Sequence, residues 1–284
     1  PADQVRRLID ANADIAIVDA RRFDEFRTMS IPTGTSVPGA ELVLCAEAVA
    51  PDPQTTIIVN CAGRTRSIIG TQSLINAGIP NPVYALRNGT IGWTLAGQEL
   101  ERGQQRRAPG VSDANAGAAR QRAREVACRA GVKRISTVDL AALAEVADRP
   151  LYRFDVRQPE AYAPGHIDGF LNVQGGQLVQ ETDHYAPARG ARIVLSDDLG
   201  PRADMTASWL AQMGWEVYVL DGGFDGPLQT GPGEGPPPRG PEGRYKRPYE
   251  GTDNKAEAMQ AYLDWEYGLV AQLFRDGSHG FYVI

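Results

Sequence analysis

Short runs of continuous apolar residues alternate along the chain with polar turns and with segments whose apolar positions recur at helical spacing. In the first hundred residues the order is IAIVDA at 15–20, TIIV at 56–59, a helical pattern over 65–77 and VYAL at 83–86. Residues 150–220 repeat it, with PLYRF at 150–154, RIVL at 192–195, a helical pattern over 203–213 and VYVL at 217–220. Apolar runs bounded by turns and interleaved with helices are what a mostly parallel sheet covered on both faces requires, so the pattern predicts an α/β chain. Ligands on such sheets bind beyond the carboxyl ends of the strands. That rule points to the loop after TIIVN, which begins at Cys61.

The two halves align at a constant offset of 136 residues, evidence of duplication. IVDARRFDEF at 17–26 lies over RFDVRQPEAY at 153–162, placing Asp19 over Asp155 and Arg21 over Arg157. The same offset carries IIVNCAGRTRS at 57–67 onto IVLSDDLGPRA at 193–203, and Gly78 onto Gly214. After a two-residue deletion, VYALRNGTIG at 83–92 matches VYVLDGGFDG at 217–226. The expected organisation is a first domain over 1–108 with the Cys61 loop, a linker helix over 109–130, a second domain over 131–230, and a Pro/Gly-rich connector with a C-terminal helix over 231–284. Residues 226–251 hold 14 of the 51 Gly and Pro residues, which concentrates the irregular chain in that one connector. Beyond it, Met259, Tyr262, Leu263, Tyr267, Val270 and Leu273 recur at helical spacing, predicting a docked helix that clamps the two copies together. The arginines of the Ala-rich stretch 114–129 read as a solvated helix face.

Composition narrows the function. With 284 residues, a net charge of −6 and 23 % charged residues, the chain suits neither a phosphate-neutralising nucleic-acid binder nor a membrane-spanning protein. Three cysteines and no secretory pattern place it in the reducing cytoplasm. It starts at Pro1 and enters a helical pattern at once, as expected of a piece of a longer chain.

The chemistry concentrates in Asn60-Cys61-Ala62-Gly63-Arg64-Thr65-Arg66-Ser67, which joins a strand to a helix. Successive backbone N–H groups, a left-handed Gly63 and the positive end of the following helix suit an anion or a thiolate. A free thiol is only about 3 % ionised at pH 7, and the helix end with Arg64 and Arg66 is expected to make Cys61 mostly thiolate. Cys45 and Cys128, in helix-like surroundings without a cationic loop, read as small buried hydrophobes. A cysteine hydrolase needs a partner histidine, and His166, His184 and His279 all lie outside the first copy. Cysteine phosphatases use C-x5-R, whereas Cys61 and Arg66 form C-x4-R, a smaller loop fitted to one added sulfur atom. No C-x-x-C pair or Cys/His cluster suggests dithiol exchange or a metal site.

These residues resemble the rhodanese-like sulfurtransferases. Asp19 to Arg21 and Asp155 to Arg157 look like the family's strand-end DxR, GHIDG at 165–169 like its GHIPG element, LDGG at 220–223 like its terminal turn, and CAGRTR like its six-residue active loop. The resemblance implies two tandem domains, each a mostly parallel sheet flanked by helices. It also implies transfer of sulfane sulfur from a donor such as thiosulfate to cyanide or a thiol through a Cys61 persulfide. No separate cofactor is then needed, and Ala62, Gly63, Arg64, Thr65 and Arg66 form the substrate-binding loop. The first copy departs from the pattern at Met29-Ser30-Ile31 and Arg87-Asn88-Gly89, both framework turns. Tandem members usually carry the reactive cysteine in the C-terminal copy, whereas here it lies in the N-terminal one. The alternative is a persulfide carrier or partner-binding module without turnover, served by a protein sulfur acceptor.

Where Cys61 stands in the first copy the second has Asp197, which cannot carry sulfane sulfur. The second copy is therefore expected to be silent, with the Asp197 carboxylate seated in its own anion nest facing Arg202. Pro201, aligned with Thr65, removes one N–H from that nest. His166 reads as a turn-stabilising residue.

Overall fold

A computed structural model describes residues 1–232 and 250–284. The described chain divides into two compact units, one of residues 1–110 with 250–279 and one of residues 111–232 with 280–284.

The first unit is built on a four-stranded parallel sheet of β1 (Ile15–Asp19), β2 (Thr35–Ser36), β3 (Thr56–Asn60) and β4 (Val83–Ala85), in the order β2-β1-β3-β4. The second has β5 (Lys133–Ile135), β6 (Leu151–Asp155), β7 (Leu171–Asn172), β8 (Arg192–Ser196) and β9 (Glu216–Leu220), in the order β5-β9-β8-β6-β7, also parallel. β5 is the one strand without a counterpart in the first sheet. The central strands are apolar because both faces are covered: Ile57, Ile58 and Val59 in β3, and Ile193, Val194 and Leu195 in β8, are all buried. Each central strand feeds a twelve-residue helix, Thr65–Asn76 or Pro201–Gln212, and each helix is followed by a left-handed glycine, Gly78 (φ 65°) or Gly214 (φ 84°). The duplication is thus reproduced in backbone conformation.

Register positions the site. In β1 and β3 Asp19 pairs with Asn60, and in β6 and β8 Asp155 pairs with Ser196, so each DxR turn sits beside the residue that opens the loop. Arg21 Nε donates to Asp19 Oδ1 at 2.9 Å and its Nη2 to Oδ2 at 2.8 Å and to the Met29 carbonyl at 2.6 Å. Arg157 repeats this on Asp155 Oδ1 (2.9 Å), Asp155 Oδ2 (2.6 Å) and the Gly165 carbonyl (2.8 Å). The carbonyl acceptor is conserved although Met29 replaces glycine, because a backbone oxygen carries no side-chain identity. In the second unit His166 stacks on Tyr162 with ring centroids 3.7 Å apart, and its N–H and carbonyl pair with those of Gln229, a turn-holding role.

Two expected placements change. The Asp113–Arg129 helix, read as a linker, belongs to the second unit, where it packs on Pro201–Gln212 by burying Ala116, Ala119, Ala123, Val126 and Ala127. Arg120, Arg124 and Arg129 face outward, as does Cys128, which is exposed rather than buried because it falls outside that Ala/Val stripe. The C-terminal helix spans Lys255–Asp276 and belongs to the first unit. Leu263, Met259 and Tyr262 pack there against Ile91 and Leu95 of the Gly89–Leu95 helix, so the predicted clamp is instead a cover on the first copy. The Pro/Gly-rich connector lies largely outside the described residues.

Candidate active site

Cys61 directly follows β3 and is buried. The loop carbonyls are tied down behind it: Thr90 N–H donates to the Cys61 carbonyl at 2.9 Å and Ile91 N–H to the Ala62 carbonyl at 3.0 Å. The first turn of the Gly89–Leu95 helix thereby satisfies the outer side of the loop with its own free N–H groups. Gly89 permits this approach, since a Cβ there would lie 2.2 Å from the Cys61 carbonyl oxygen, and its φ of 53° is left-handed. The Cys61 thiol donates to Ser67 Oγ at 3.4 Å, and Ser67 Oγ donates to the Arg64 carbonyl at 2.9 Å.

The structure brings all six predicted loop residues together but sets four of them differently from expectation. Burial pushes the Cys61 thiol above its ordinary value, outweighing the opposite pull of Arg66 and Ser67, so the resting cysteine is a thiol rather than the expected thiolate. Arg66 does not point free at a donor: its Nη1 and Nη2 grip Glu25 Oε1 and Oε2 at 2.6 and 3.0 Å. The Arg64 guanidinium lies over the Tyr267 ring, 3.6 Å from its centroid, on the C-terminal helix. Gly63, read as left-handed, is absent from the positive-φ residues. Its service is space, because a Cβ there would lie 2.8 Å from Glu266 Oε2 and 3.3 Å from the Tyr262 ring.

Sequence reasoning missed Glu25, Gly89 and Glu266. Glu25 had a signal: its partner at the 136-residue offset is Ala161, so the acid appears in the copy that keeps the cysteine. Glu266 Oε1 accepts from Thr65 Oγ1 at 3.3 Å and from Tyr262 Oη at 3.2 Å, and burial raises its carboxyl above the ordinary value.

The second copy shows the nest with its ligand built in. Asp197 Oδ2 accepts from Arg202 N–H at 2.8 Å and from Ala203 N–H at 3.4 Å, while Oδ1 accepts from Leu199 N–H at 3.3 Å and from Arg202 Nη1 at 2.9 Å. Burial and the adjacent Asp198 push Asp197 up to about 6 against the pull of Arg202. By the offset, the donating positions Leu199, Arg202 and Ala203 correspond to Gly63, Arg66 and Ser67 around Cys61.

A strand-end cysteine in a six-residue loop, flanked by a buried Asp–Arg turn and duplicated in a copy that has Asp197 at the cysteine position, defines a class that comparison with known proteins identifies. The family model for the Rhodanese-like domain matches residues 1–96 and 139–228, and the chain belongs to that family. The crystal structure of thiosulfate sulfurtransferase from Pseudomonas aeruginosa is 45 % identical, with a TM-score of 0.90, over all of this chain and 75 % of that one. Thiosulfate sulfurtransferase GlpE of Ectopseudomonas mendocina (strain ymp) is 35 % identical over 75 residues, 25 % of this chain and 64 % of the length of that relative. Among the described residues no group of His, Cys, Asp and Glu is arranged to hold a metal ion, and no helix is long and apolar enough to cross a membrane.

Proposed function

We propose that this chain is a sulfurtransferase in which Cys61 carries sulfane sulfur between a small donor, such as thiosulfate, and a thiophilic acceptor. The Cys61 thiolate attacks the outer sulfur of the donor, the donor S–S bond breaks with its electron pair leaving on sulfite, and a Cys61–S–S⁻ persulfide remains. Attack by cyanide or a thiol on the outer sulfur then returns the thiolate. The observation that carries this reading is the filled nest of the second copy. Three N–H groups there hold one carboxylate, and the equivalent positions around Cys61 are Gly63, Arg66 and Ser67, whose N–H groups would stabilise the negative charge of a persulfide. Ala62, Arg64 and Thr65 complete the substrate loop, and Arg66, beside the thiol, favours its ionised form. Persulfide chemistry needs neither cofactor nor metal, and the reducing cytoplasm keeps a lone thiol available for it.

The test is thiosulfate:cyanide turnover of the wild type and Cys61→Ser, with intact-mass measurement after thiosulfate alone. Turnover lost in the variant, with one sulfur added to the wild type, is the expected result. A persulfide without turnover identifies a carrier served by a protein acceptor, and the absence of both overturns the proposal.

A further inference from the structure

Arg21 and Arg157 make the same hydrogen bonds to their own Asp and to the facing carbonyl, and they differ at Nη1. Arg157 Nη1 donates to Asp198 Oδ2 at 3.2 Å. The aligned Arg21 Nη1 is buried and has no hydrogen-bond partner among the described residues, and Ala62 stands where Asp198 does, with a methyl group in place of the carboxylate. A guanidinium carries five N–H donors, and leaving buried ones bare is costly. The second copy shows what completes this one. Asp198 Oδ1 and Asp197 Oδ1 share Arg202 Nη1, at 3.3 and 2.9 Å, so the two carboxylates lie side by side on one nitrogen. Asp197 aligns with Cys61, so an anion held by Arg21 Nη1 lies next to the nucleophile. The Asp198 side chain is 39 % exposed, so a group in that position is reached from solvent. In the first copy Asp19, which holds Arg21, also accepts from Asn60 Nδ2 at 2.7 Å, and Asn60 immediately precedes Cys61.

We infer that Arg21 is a donor-binding residue whose Nη1 seats the anionic group of the sulfur donor beside Ala62, the SO3 group where the donor is thiosulfate. The inference rests on the sulfurtransferase reading above. In this pose the outer sulfur faces Cys61 Sγ while Nη1 donates to an oxygen of the SO3 group. As Sγ bonds to the outer sulfur, the donor S–S bond breaks with its electron pair leaving on sulfite. The charge that gathers there meets a guanidinium already oriented by Asp19 and by the Met29 carbonyl. Asp198 is then the second copy's built-in substitute for the donor, as Asp197 is for the persulfide.

The experiment compares alkylation of Cys61 by iodoacetate and by iodoacetamide, read by peptide mass, in the wild type, Ala62→Asn and Ala62→Asp, alongside kcat and KM for thiosulfate. Iodoacetate carries its carboxylate on the atom next to the one attacked, as thiosulfate carries its oxygens. Asn offers Nη1 a neutral oxygen in the Asp198 position, and Asp offers the charged one. The expected result is that the ratio of iodoacetate to iodoacetamide rates falls about tenfold in Ala62→Asn and further in Ala62→Asp, with KM for thiosulfate rising in the same order and kcat less affected. Sulfate should slow iodoacetate in the wild type and not in the variants. A ratio unchanged in Ala62→Asn, with the fall confined to Ala62→Asp, reduces the effect to charge repulsion and overturns the inference, as does a wild type that sulfate does not protect. Both results leave sulfur transfer standing. A wild type that keeps the iodoacetate preference and sulfate protection but shows neither thiosulfate turnover nor a persulfide removes the sulfurtransferase reading and leaves Arg21 as an anion seat.

Discussion

The two copies solve one geometric problem in opposite ways. In the second, the loop closes on its own first residue: Asp197 takes three N–H donors and Arg202 Nη1, so its carboxylate is satisfied from within the loop. In the first, that position is a thiol, whose contact is a 3.4 Å hydrogen bond to Ser67, and the surrounding charges are balanced from elsewhere. Glu25 in the Phe23–Thr28 helix takes Arg66, and Tyr267 and Glu266 on the C-terminal helix take Arg64 and Thr65. A loop that must receive a ligand keeps its centre free, and its arginine is held from outside. A loop with a built-in carboxylate needs no such support, and its counterpart of Glu25 is Ala161.

The largest effect comes from exchanging the central residue. Cys61→Ser is expected to lose sulfur transfer by at least about 10⁴-fold, as removal of a nucleophile does. Asp197→Cys on that background is not expected to restore it, because Asp198 stands where Ala62 does and keeps a carboxylate beside the new sulfur. Substantial cyanide-dependent turnover in the double variant would show that the two loops are interchangeable and break the comparison.

Next in size is the arginine. Arg202→Ala leaves the fully buried Asp197 carboxylate without its cation, and loss of one partner of a buried pair costs about 3–5 kcal/mol. Arg66→Ala leaves Glu25 with more access to solvent, its side chain being 13 % exposed, and is expected to cost about 1–3 kcal/mol. Urea unfolding followed separately on the two units should rank the variants in that order, and the reverse ranking would mean that Arg66 and not Arg202 is the structural arginine.

Smaller again is the effect of the glycine behind the loop. Gly89→Ala drives a Cβ to 2.2 Å from the Cys61 carbonyl, a backbone atom, whereas the aligned Gly223→Ala meets the tip of the Ile167 side chain at 2.8 Å. Displacing the Cys61 loop by a fraction of its width is expected to lower kcat/KM about 10²-fold for Gly89→Ala, and to leave it nearly unchanged for Gly223→Ala. Equal losses would place the effect in folding, which circular dichroism melts of both variants would expose.

Much of this contrast is written in the sequence, because the offset of 136 superposes chemically matched residues: Asp19 on Asp155, Arg21 on Arg157 and Cys61 on Asp197. Hydrophobic runs located β1, β3, β8 and β9, most of whose residues are buried, and β6, which is buried only at Phe154 and Asp155. The short β2 and β7 had no such signal, since their two residues pair only at a sheet edge. The stripe through Leu263 announces a buried helical face without saying what buries it, and a glutamate on such a helix reads as solvated until a partner surface is known. Gly63 shows the same limit: a glycine kept for space and one kept for its φ are the same letter. Cys61 itself was misjudged in protonation because sequence displays the cations nearby but not the burial, which acts more strongly here and with the opposite sign.

The finest distinction between the copies concerns the field at the thiol, and Glu25→Gln tests it. The thiol is neutral when protonated, so burial holds it in that form and positive charge from Arg66 favours the thiolate. In the wild type, alkylation of Cys61 by iodoacetamide should therefore climb about tenfold per pH unit without levelling off at the ordinary thiol value of 9.0. Glu25 partly cancels Arg66 at 2.6 Å, and its neutral isostere leaves the guanidinium uncompensated beside the sulfur. The alkylation profile of Glu25→Gln should move to lower pH, with a severalfold faster reaction at neutral pH and an unchanged plateau at high pH. A profile that stays in place would mean that burial alone governs the thiol, and that Glu25 serves only to hold Arg66 in position as Asp197 holds Arg202. A profile that moves would show that the Cys61 copy keeps its arginine partly neutralised, so that the thiol ionises when a donor arrives rather than at rest.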